Sequence, residues 1–314
     1  MAITRMGTGT SSLGANILAT EHDAATFVEV LREKVRFAPL GRRDDIPRGD
    51  GKTVRWNFFS NPSGDTSTLT EGADPANSTD FTTTPITAML GEYGGVTEYS
   101  KFLDLSAMSG TRQEFVKGLA HKAALSIDLV INTALQSATS TNNEGAAMTA
   151  EGIRKAVIEL LGQNAMPHPN SPGGQFFVFV GSVEQCYDVI GEGAPVWFQA
   201  RTDQLTSSMV APLKDTVPTA AIYNCIMQIS TNLVRVTTTS PDDDVGYLFG
   251  ADAFGVSSLE SDIMNPRIII TEPEALVSAP LRNRGTAGYW YLFASKIIDN
   301  NRLIEMVSDA TGIG

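Results

Sequence analysis

Residues 111–136 repeat apolar side chains at helical spacing, and this segment constrains the fold more than any other part of the chain. Thr111 and Glu114 match the capping box that commonly opens a helix. The apolar stripe that follows consists of Val116, Leu119, Ala123, Ile127, Val130 and Ala134. A helix of this length extends about 40 Å, because each residue adds about 1.5 Å. We therefore expect one long helix that organises a domain around its apolar face.

The chain before this helix begins with a flexible arm and a short amphipathic helix. Residues 22–38 place Phe27, Leu31 and Val35 at helical spacing, and Pro39 follows as a stop. A charged turn region, rich in arginine and aspartate, comes next.

A long β-hairpin is predicted after this turn. Residues 52–59 alternate, with Val54 and Trp56 on one face, and a second strand-like run covers residues 81–90. Residues 60–80 are dominated by Ser, Thr, Asn, Asp, Gly and Pro, which favours an elaborate hairpin tip. Because a lone two-stranded hairpin is only marginally stable in water, we expect the surface of another copy to cover its apolar face.

The chain after the long helix predicts an α+β domain on a central mixed sheet. Thr149 caps a second helix, and Ser182 with Gln185 forms a capping box for a third helix. A continuously apolar strand at residues 175–180 lies between these helices. Further strand-like runs cover residues 221–230, 233–238, 245–250 and 267–271. The apolar segment 288–309 is expected to pack back on earlier elements.

The charge distribution restricts the partners that the chain can have. The formal net charge is −12, which argues against a surface that binds nucleic acid everywhere. Residues 1–60 nevertheless carry nine basic and seven acidic side chains, so they differ in electrostatic role from the acidic remainder. Cys186 and Cys225 lack CxxC spacing and are predicted to be buried free thiols. No apolar stretch is long enough for a membrane-spanning helix, so no membrane partner is expected.

The sequence contains fragments of catalytic and binding motifs, but each is incomplete. Gly51-Lys52-Thr53 resembles the end of a phosphate-binding loop, yet Ile46 stands where that loop requires glycine, and a strand follows instead of a helix. A lysine at the base of the hairpin is the preferred interpretation. We therefore predict no catalytic residues and no bound cofactor.

Metal-binding and base-stacking residues also have simpler interpretations. None of the three histidines, His22, His121 and His168, has a partner at metal-ligand spacing. The acidic run Asp242, Asp243 and Asp244 lacks the glycine and distal glutamate of a calcium loop, which favours a solvated acidic turn. The aromatic cluster Tyr289, Trp290, Tyr291 and Phe293 lacks interleaved basic residues, so a core or interface role is preferred. No metal is expected.

The order of these parts resembles the capsid fold of the phage Hong Kong 97. The blocks LREKVRFAPLGRRDDIPRGDGKTVRWNFF, LTEGADP and GYWYLFASKIIDNNRLIEMVS are similar to the major capsid proteins of tailed bacteriophages, in the branch typified by N4-like podophages. The resemblance covers nearly the whole chain. It implies an α+β subunit with an N-terminal arm, an extended loop, a long spine helix, a peripheral domain and an axial domain.

The resemblance also implies domain boundaries. Residues 1–48 would form the N-terminal arm and helix, and residues 49–100 the extended loop. Residues 101–148 and 272–314 would form the peripheral domain with the spine helix, and residues 149–271 the axial domain.

The function that the resemblance implies is a structural subunit without enzymatic activity. Such a subunit assembles with itself, as hexamers and pentamers, into an icosahedral head that encloses double-stranded DNA. The N-terminal arm is too short to be an internal scaffold, so a separate scaffolding protein, a portal and possibly a decoration protein are expected partners. The packaged DNA would be contacted non-specifically. The expected location is the virion capsid, assembled in the cytoplasm of the host bacterium.

The hairpin supplies the candidate contacts between copies, because its tip is acidic and its base is basic. The candidate residues are Arg42, Arg43, Lys52, Arg55, Trp56, Asp65, Leu69, Glu71 and Asp74.

Two alternatives remain open at this point. An encapsulin-like nanocompartment shares the fold but encloses enzyme cargo, and sequence alone separates it poorly from a phage shell. A soluble α+β enzyme with an unrecognised site is a second alternative, against which stand the incomplete motifs and the long hairpin.

Overall fold

The computed structural model describes residues 26–31, 34–47, 49–59, 68, 71–72, 83–100, 111–171, 174–192, 220–233, 235–236, 242–259, 267–271 and 284–309. The three long helices are α1 (Thr111–Leu135), α2 (Ala150–Gly162) and α3 (Val183–Glu192). The strands of the first half of the chain are β1 (Arg42–Arg43), β2 (Thr53–Phe59), β3 (Thr83–Met89), β4 (Gly91–Ser100), β5 (Thr141–Asn143) and β6 (Phe177–Gly181). Those of the second half are β7 (Ala220–Ile222), β8 (Cys225–Ile229), β9 (Arg235–Val236), β10 (Asp243–Phe249), β11 (Phe254–Ser258), β12 (Arg267–Thr271), β13 (Arg284–Ile297) and β14 (Leu303–Asp309). Short 3-10 turns occur at Ala38–Leu40 and Asn300–Arg302.

The predicted long helix is confirmed, and α1 ends one residue before the predicted end. Its stripe is buried at Val116, Leu119, Ala123 and Ile127, and Ile131 continues it. This face packs into a core that α1 shares with both sheets, because side chains three and four residues apart lie on one side of a helix.

In its described part the predicted N-terminal helix covers residues 26–31 and 34, and it ends before Val35 rather than at residue 38. Phe27 and Leu31 are buried in the shared core. Pro39 does not follow the helix as a stop but lies within the 3-10 turn at Ala38–Leu40, where a proline fits because its φ is already helical.

The first sheet is organised by β13, which pairs with three strands. On one edge, β4 pairs antiparallel with β13 over ten residues. On the other edge, β12 and β11 pair with successive parts of β13, and β1 adds two residues parallel to β11. The face that carries Tyr289, Tyr291 and Phe293 is buried with α1, so this part of the aromatic cluster is core as predicted.

The second sheet has the strand order β5-β14-β10-β6-β8-β7, and β9 also pairs with β10. Strand β6 is buried along its whole length, as its continuous apolar sequence predicts. One face of the sheet, with Phe177, Phe179 and Leu248, packs with α2 and α3. The opposite face, with Val180 and Tyr247, contributes to the core shared with α1. Parallel and antiparallel pairs both occur, so the sheet is mixed as predicted.

Both predicted helix caps of this region form. Thr149 accepts a hydrogen bond from the Gly152 amide at 3.0 Å at the start of α2. Ser182 Oγ accepts from the Gln185 amide, and Gln185 Oε1 accepts from the Ser182 amide, so the capping box before α3 is complete.

Two predicted strands differ in the structure. The run 221–230 is not one strand but a tight hairpin of β7 and β8, which turns at Tyr223 and Asn224 with φ of 48° and 61°. Two consecutive residues with positive φ are the signature of a type I′ turn, which reverses the chain where a continuous strand was expected. The run 233–238 contains only the two-residue strand β9 within its described part.

Each of the two sheets combines strands from segments that the sequence assigns to different domains. Strand β12, from the segment assigned to the axial domain, pairs with β13 in the first sheet. Strand β14, from the segment assigned to the peripheral domain, pairs with β10 in the second sheet. The domain division therefore stays a proposal, with strands crossing it in both directions.

No helix among the described residues combines the length and the apolar character that crossing a membrane requires.

Candidate intersubunit surfaces

The base of the predicted hairpin is anchored on the chain's own body. Strands β2 and β3 pair in register, so the hairpin is confirmed. Trp56 is only 1% exposed and forms a small core with Val54, Ile46 and Ile298. At Gly255 the backbone approaches so closely that an added Cβ would lie 2.5 Å from the Trp56 indole. The expectation that another copy must cover Val54 and Trp56 is therefore wrong, because the same chain already buries them.

The rest of the hairpin is more exposed. The Arg302 guanidinium lies 5.4 Å from the Phe58 ring centre, and Lys296 Nζ donates to the Thr87 carbonyl at 2.9 Å. Beyond these contacts, β3 is exposed at alternate positions, and Met89 at its end is 71% exposed. The hairpin thus has an anchored base and an exposed continuation.

The basic candidate residues lie near the base of the hairpin, whereas most of the hairpin tip lies outside the described residues. Arg42 and Arg43 are exposed on β1, next to β11, while Lys52 and Arg55 are exposed at the start of β2. Glu71 is exposed. Asp65, Leu69 and Asp74 lie outside the described residues.

Part of the positive charge at the base is already compensated. Arg42 Nε lies 3.2 Å from Asp44 Oδ2, and Arg43 Nε lies 2.9 Å from Asp45 Oδ2. Exposed pairs of this kind contribute about 0–1 kcal/mol each, so they could exchange partners at little cost. The sequence prediction overlooked these local carboxylates.

The second face of the first sheet exposes aliphatic side chains on the strands β4 and β12. Val96 of β4, Gly288 of β13 and Ile269 of β12 stand side by side in register across three strands. Val96 is 68% exposed and Ile269 is 57% exposed. Charged side chains border this strip, including Glu98, whose carboxylate lies 3.6 Å from Arg284. The result is an apolar strip with a charged rim, which is a common composition for an interface.

Helix α1 presents a second exposed surface. Lys122, Leu129 and Thr133 line a shallow groove of about 390 Å³ beside Tyr289. Lys117 and His121 are exposed on the same helix. This surface carries more basic than acidic side chains, in contrast with the chain as a whole.

The structure shows where the residues of the incomplete motifs lie. Lys52 is exposed between the turn at Gly51 and strand β2, so it is a hairpin lysine as preferred above. Within the described ranges, no group of three or more His, Cys, Asp or Glu side chains could hold a metal ion. Cys186 and Cys225 are buried free thiols as predicted. Burial raises the pKa of the Cys186 thiol to about 12, which keeps it protonated and unreactive at neutral pH.

The acidic run at 242–244 is not a solvated turn. Asp243 and Asp244 belong to β10, and Asp244 is buried. Its carboxylate accepts hydrogen bonds from Ser182 Oγ at 2.7 Å and from Arg235 Nε at 2.8 Å. A nearby arginine and a helix-capping serine compensate its charge, which allows an aspartate to stand inside a strand.

Two buried polar residues have structural roles that the sequence prediction missed. Asp128 is fully buried on α1, where it follows Ala124 by one turn and so falls within the apolar stripe. A lone carboxylate at such a position is a signal that could have been recognised. His168 lies in a loop, yet it is buried and its Nε2 lies 2.7 Å from the Leu40 carbonyl. No local pattern reveals that contact, because its partner is distant in sequence.

Comparison with solved structures identifies the fold. The capsid of Ralstonia phage GP4 matches with a TM-score of 0.70 at 13% identity, covering 90% of this chain and 93% of that chain. The acidic stable capsid structure of Helicobacter pylori bacteriophage KHP30 matches with a TM-score of 0.60 at 16% identity, covering 85% and 87%. A virus-like particle from Pyrococcus furiosus matches with a TM-score of 0.52 at 8% identity, covering 92% and 99%.

The sequence itself gives no comparable match. No protein-family model matches the chain, and no curated protein matches it. The structural likeness extends over most of the chain, and it confirms the predicted fold of the Hong Kong 97 type.

Proposed function

We propose that this chain is the major capsid protein of a tailed bacteriophage, a structural subunit that assembles with itself into an icosahedral head around double-stranded DNA. The observation that carries the proposal is the match to a phage capsid subunit over nine-tenths of the chain, with a TM-score of 0.70. Fold alone does not determine function. The exposed surfaces of the single chain add an independent argument.

The open face of the first sheet supports assembly. Val96 and Ile269, on either side of Gly288, are exposed in the single chain, whereas the opposite face of the same sheet carries buried tyrosines and Phe293. Exposed aliphatic side chains on a flat sheet favour association, because contact removes their surface from water. A shell would repeat that contact at every copy.

The hairpin is proposed as the arm that reaches a neighbouring copy. Its base is fixed by Trp56, so the arm has a rigid origin, and its exposed end includes Glu71. Contact between the acidic tip of one copy and Arg42, Arg43, Lys52 and Arg55 of the next remains a prediction. In a closed ring such contacts repeat around the axis, so weak individual pairs add up.

The other partners follow from the same proposal. Hexamers and pentamers, a separate scaffolding protein, a portal and possibly a decoration protein would complete a head of this kind. The exposed basic residues Lys117 and Lys122 on α1 suit non-specific contact with packaged DNA. The proposed location is the virion capsid, after assembly in the host cytoplasm. Membership of the N4-like branch stays a prediction, as does the lack of enzymatic activity.

Electron microscopy of the purified protein, alone and co-expressed with its candidate scaffolding protein, tests the proposal. Capsomers, tubes or closed particles are expected, and sedimentation should show species far larger than a small oligomer. A protein that remains a monomer or dimer under both conditions would contradict a shell function and favour the soluble enzyme.

Removing the hairpin tip is expected to prevent closure without unfolding the chain. In this variant, residues 62–75 are deleted and the strands are joined by a glycine-containing turn. The described anchors of the hairpin, Trp56 and Val54, lie outside the deletion, so circular dichroism should match that of the parent chain. Negative-stain images should show no closed shells.

The matched control replaces residues 62–75 with glycine and serine at constant length. Loss of shells in both variants assigns the effect to the tip side chains, whereas loss in the deletion alone assigns it to the reach of the arm. Normal particles from the deletion would disprove the arm.

An encapsulin-like compartment is the second candidate, since a virus-like particle from Pyrococcus furiosus shares the fold. The higher TM-score of the phage GP4 capsid favours the phage head. Particles from the natural source should contain nuclease-protected DNA. Enclosed protein cargo without DNA would favour the compartment.

A further inference from the structure

Residues 35–46 form a connection between the two sheets. Val35, Phe37 and Leu40 are buried in the shared core, and the Phe37 ring meets Tyr247 of the second sheet edge to face. Farther along, β1 pairs with β11 of the first sheet. One short segment therefore contacts α1 and both sheets, and we call it the clasp.

Asp128 of α1 holds the first part of the clasp. Its carboxylate accepts hydrogen bonds from the backbone amides of Arg36 and Phe37, each at 3.2 Å. It also accepts from Asn232 Nδ2 at 2.8 Å. Every one of these partners is a donor, as an ionised carboxylate requires.

His168 and Asn170 hold the middle of the clasp. His168 Nε2 lies 2.7 Å from the Leu40 carbonyl oxygen, so this nitrogen carries a hydrogen and donates. His168 Nδ1 accepts from the Asn170 amide at 3.2 Å, so this nitrogen carries none. Asn170 Nδ2 donates to the Pro39 carbonyl at 3.1 Å. The contacts together require a neutral imidazole.

We propose that the clasp is a pH-sensitive device that is closed while His168 is neutral and opens when His168 is protonated. A protonated imidazole has two donors, so Nδ1–H would face the Asn170 N–H and that hydrogen bond would be lost. The ring is buried against Phe249, where a cation lacks water. The Nε2–H bond to Leu40 survives protonation, so it is the hydration of the buried cation that calls for the 168–171 loop to move away from the turn at Ala38–Leu40.

The charged groups around His168 do not remove this penalty. Burial lowers the pKa of His168 from its ordinary 6.5, and it outweighs the hydrogen bond to the Leu40 carbonyl and the charge of Asp252, which both favour the protonated form. Asp252 is itself paired with Arg302, whose guanidinium lies 3.9 Å from it and also pairs with Asp299. The stabilisation is therefore complete above pH 6.5 and is lost as the pH falls through the lower pKa of the folded chain.

Asp128 acts in the opposite direction and has to be separated experimentally. Burial raises the pKa of its carboxyl from 3.8 to about 6, so acid favours the folded form at this residue. Asp128 is present in the parent chain and in every His168 variant. The difference between the two therefore reports His168 alone.

Hydrogen exchange of the clasp amides tests the proposal. Exchange of the Leu40, Asp44 and Ile46 amides would be measured in the unassembled chain at pH 7.5 and pH 5.0 and corrected for intrinsic rates. Relative to His168→Gln, protection in the parent chain should fall about tenfold on acidification, which is the factor expected from loss of one buried hydrogen bond. In His168→Gln, which cannot take up a proton at this position, protection should not fall, and any rise reports Asp128. His121→Gln, on the exposed face of α1, is the matched control and should behave as the parent.

A variant in which the clasp is held open provides the comparison state. A Cβ at Gly41 would lie 2.7 Å from the Phe254 ring, so Gly41→Val should lose protection already at pH 7.5 and show no further loss at pH 5.0. If His168→Gln does not fold, the imidazole signals of the parent chain supply the readout. Their titration midpoint for His168 should coincide with the loss of clasp protection.

An equal response of protection to pH in the parent chain and in His168→Gln would overturn the proposal. The same holds if His168 titrates without any change in the clasp.

Discussion

Replacing Trp56 with alanine is expected to lower the free energy of unfolding by about 3–5 kcal/mol, the range typical of a deleted buried aromatic side chain. The Trp56 side chain extends from β2 and is buried against Ile46 and Ile298. Gly255 has no side chain, which leaves space for the Trp56 ring. Alanine would leave a cavity that the β2–β3 ladder and β11 cannot easily fill. Urea denaturation of the unassembled chain measures the loss.

Two matched variants sharpen this test. Val96→Ala removes an exposed aliphatic group from the first sheet and should change stability by less than about 0.5 kcal/mol. Trp56→Phe should cost much less than alanine, because Trp56 Nε1 is buried without a hydrogen-bond partner in the described part of the chain. If Trp56→Ala kept the stability of the unassembled chain but failed to form shells, a neighbouring copy would be the surface that covers Trp56.

Replacing Asp128 with alanine is expected to cost about 2–4 kcal/mol, since each unsatisfied buried polar group costs about 1–3 kcal/mol and several lose their acceptor together. The backbone amides of Arg36 and Phe37 and the side-chain amide of Asn232 would be left unpaired. Asp128→Asn should cost less, because it keeps one acceptor oxygen. Chemical denaturation at pH 7.5 measures both.

The pH dependence of Asp128 provides a second readout of the same site. Burial raises the pKa of this carboxyl from 3.8 to about 6. Its favourable contribution is therefore present below pH 3.8 and is lost as the pH rises through about 6. Between pH 7.5 and pH 4.5 the parent chain should gain stability relative to Asp128→Asn. Glu114→Gln, at an exposed position of the same helix, should follow the parent, and an equal pH slope in Asp128→Asn and the parent would show that Asp128 does not titrate in this range.

Local patterns predicted the elements whose stabilisation is local. The stripe from Val116 to Ile127 identified α1, and the capping residues Thr149 and Ser182 identified the starts of α2 and α3. Alternation at Val54 and Trp56 also identified the hairpin and the side that is buried. Each of these signals depends on residues a few positions apart.

What sequence could not provide was the partner of each apolar or charged surface. The pattern of β2 places Trp56 on an apolar face, but Gly255 and Ile298, which help to cover that face, lie about 200 and 240 residues further along the chain. The turn at Tyr223 and Asn224 lacks the glycine that usually marks such a turn, so the sequence pattern predicts a continuous strand there. Asp244 looked solvated because Arg235 and Ser182 approach it only in the folded sheet.

The sequence predicted the charge of the candidate contacts between copies, but not every residue that is available for them. Exposure of Arg42, Arg43, Lys52 and Arg55 agrees with a basic surface at the hairpin base. Trp56 was predicted to contact a neighbouring copy, but the structure buries it within its own chain. The strip of Val96 and Ile269 was not recognised, because strands β4 and β12 come together only through β13.

The central position of β13 and β14 also governs when the chain can fold during synthesis. Strand β13 joins β4, β11 and β12, and β14 pairs with both β10 and β5. Both strands follow all of their partner strands in the chain. Neither sheet can therefore be completed before β13 and β14 have left the ribosome, and pairing over such long sequence separations is slow. Association between copies through finished sheets is consequently delayed until both strands have emerged.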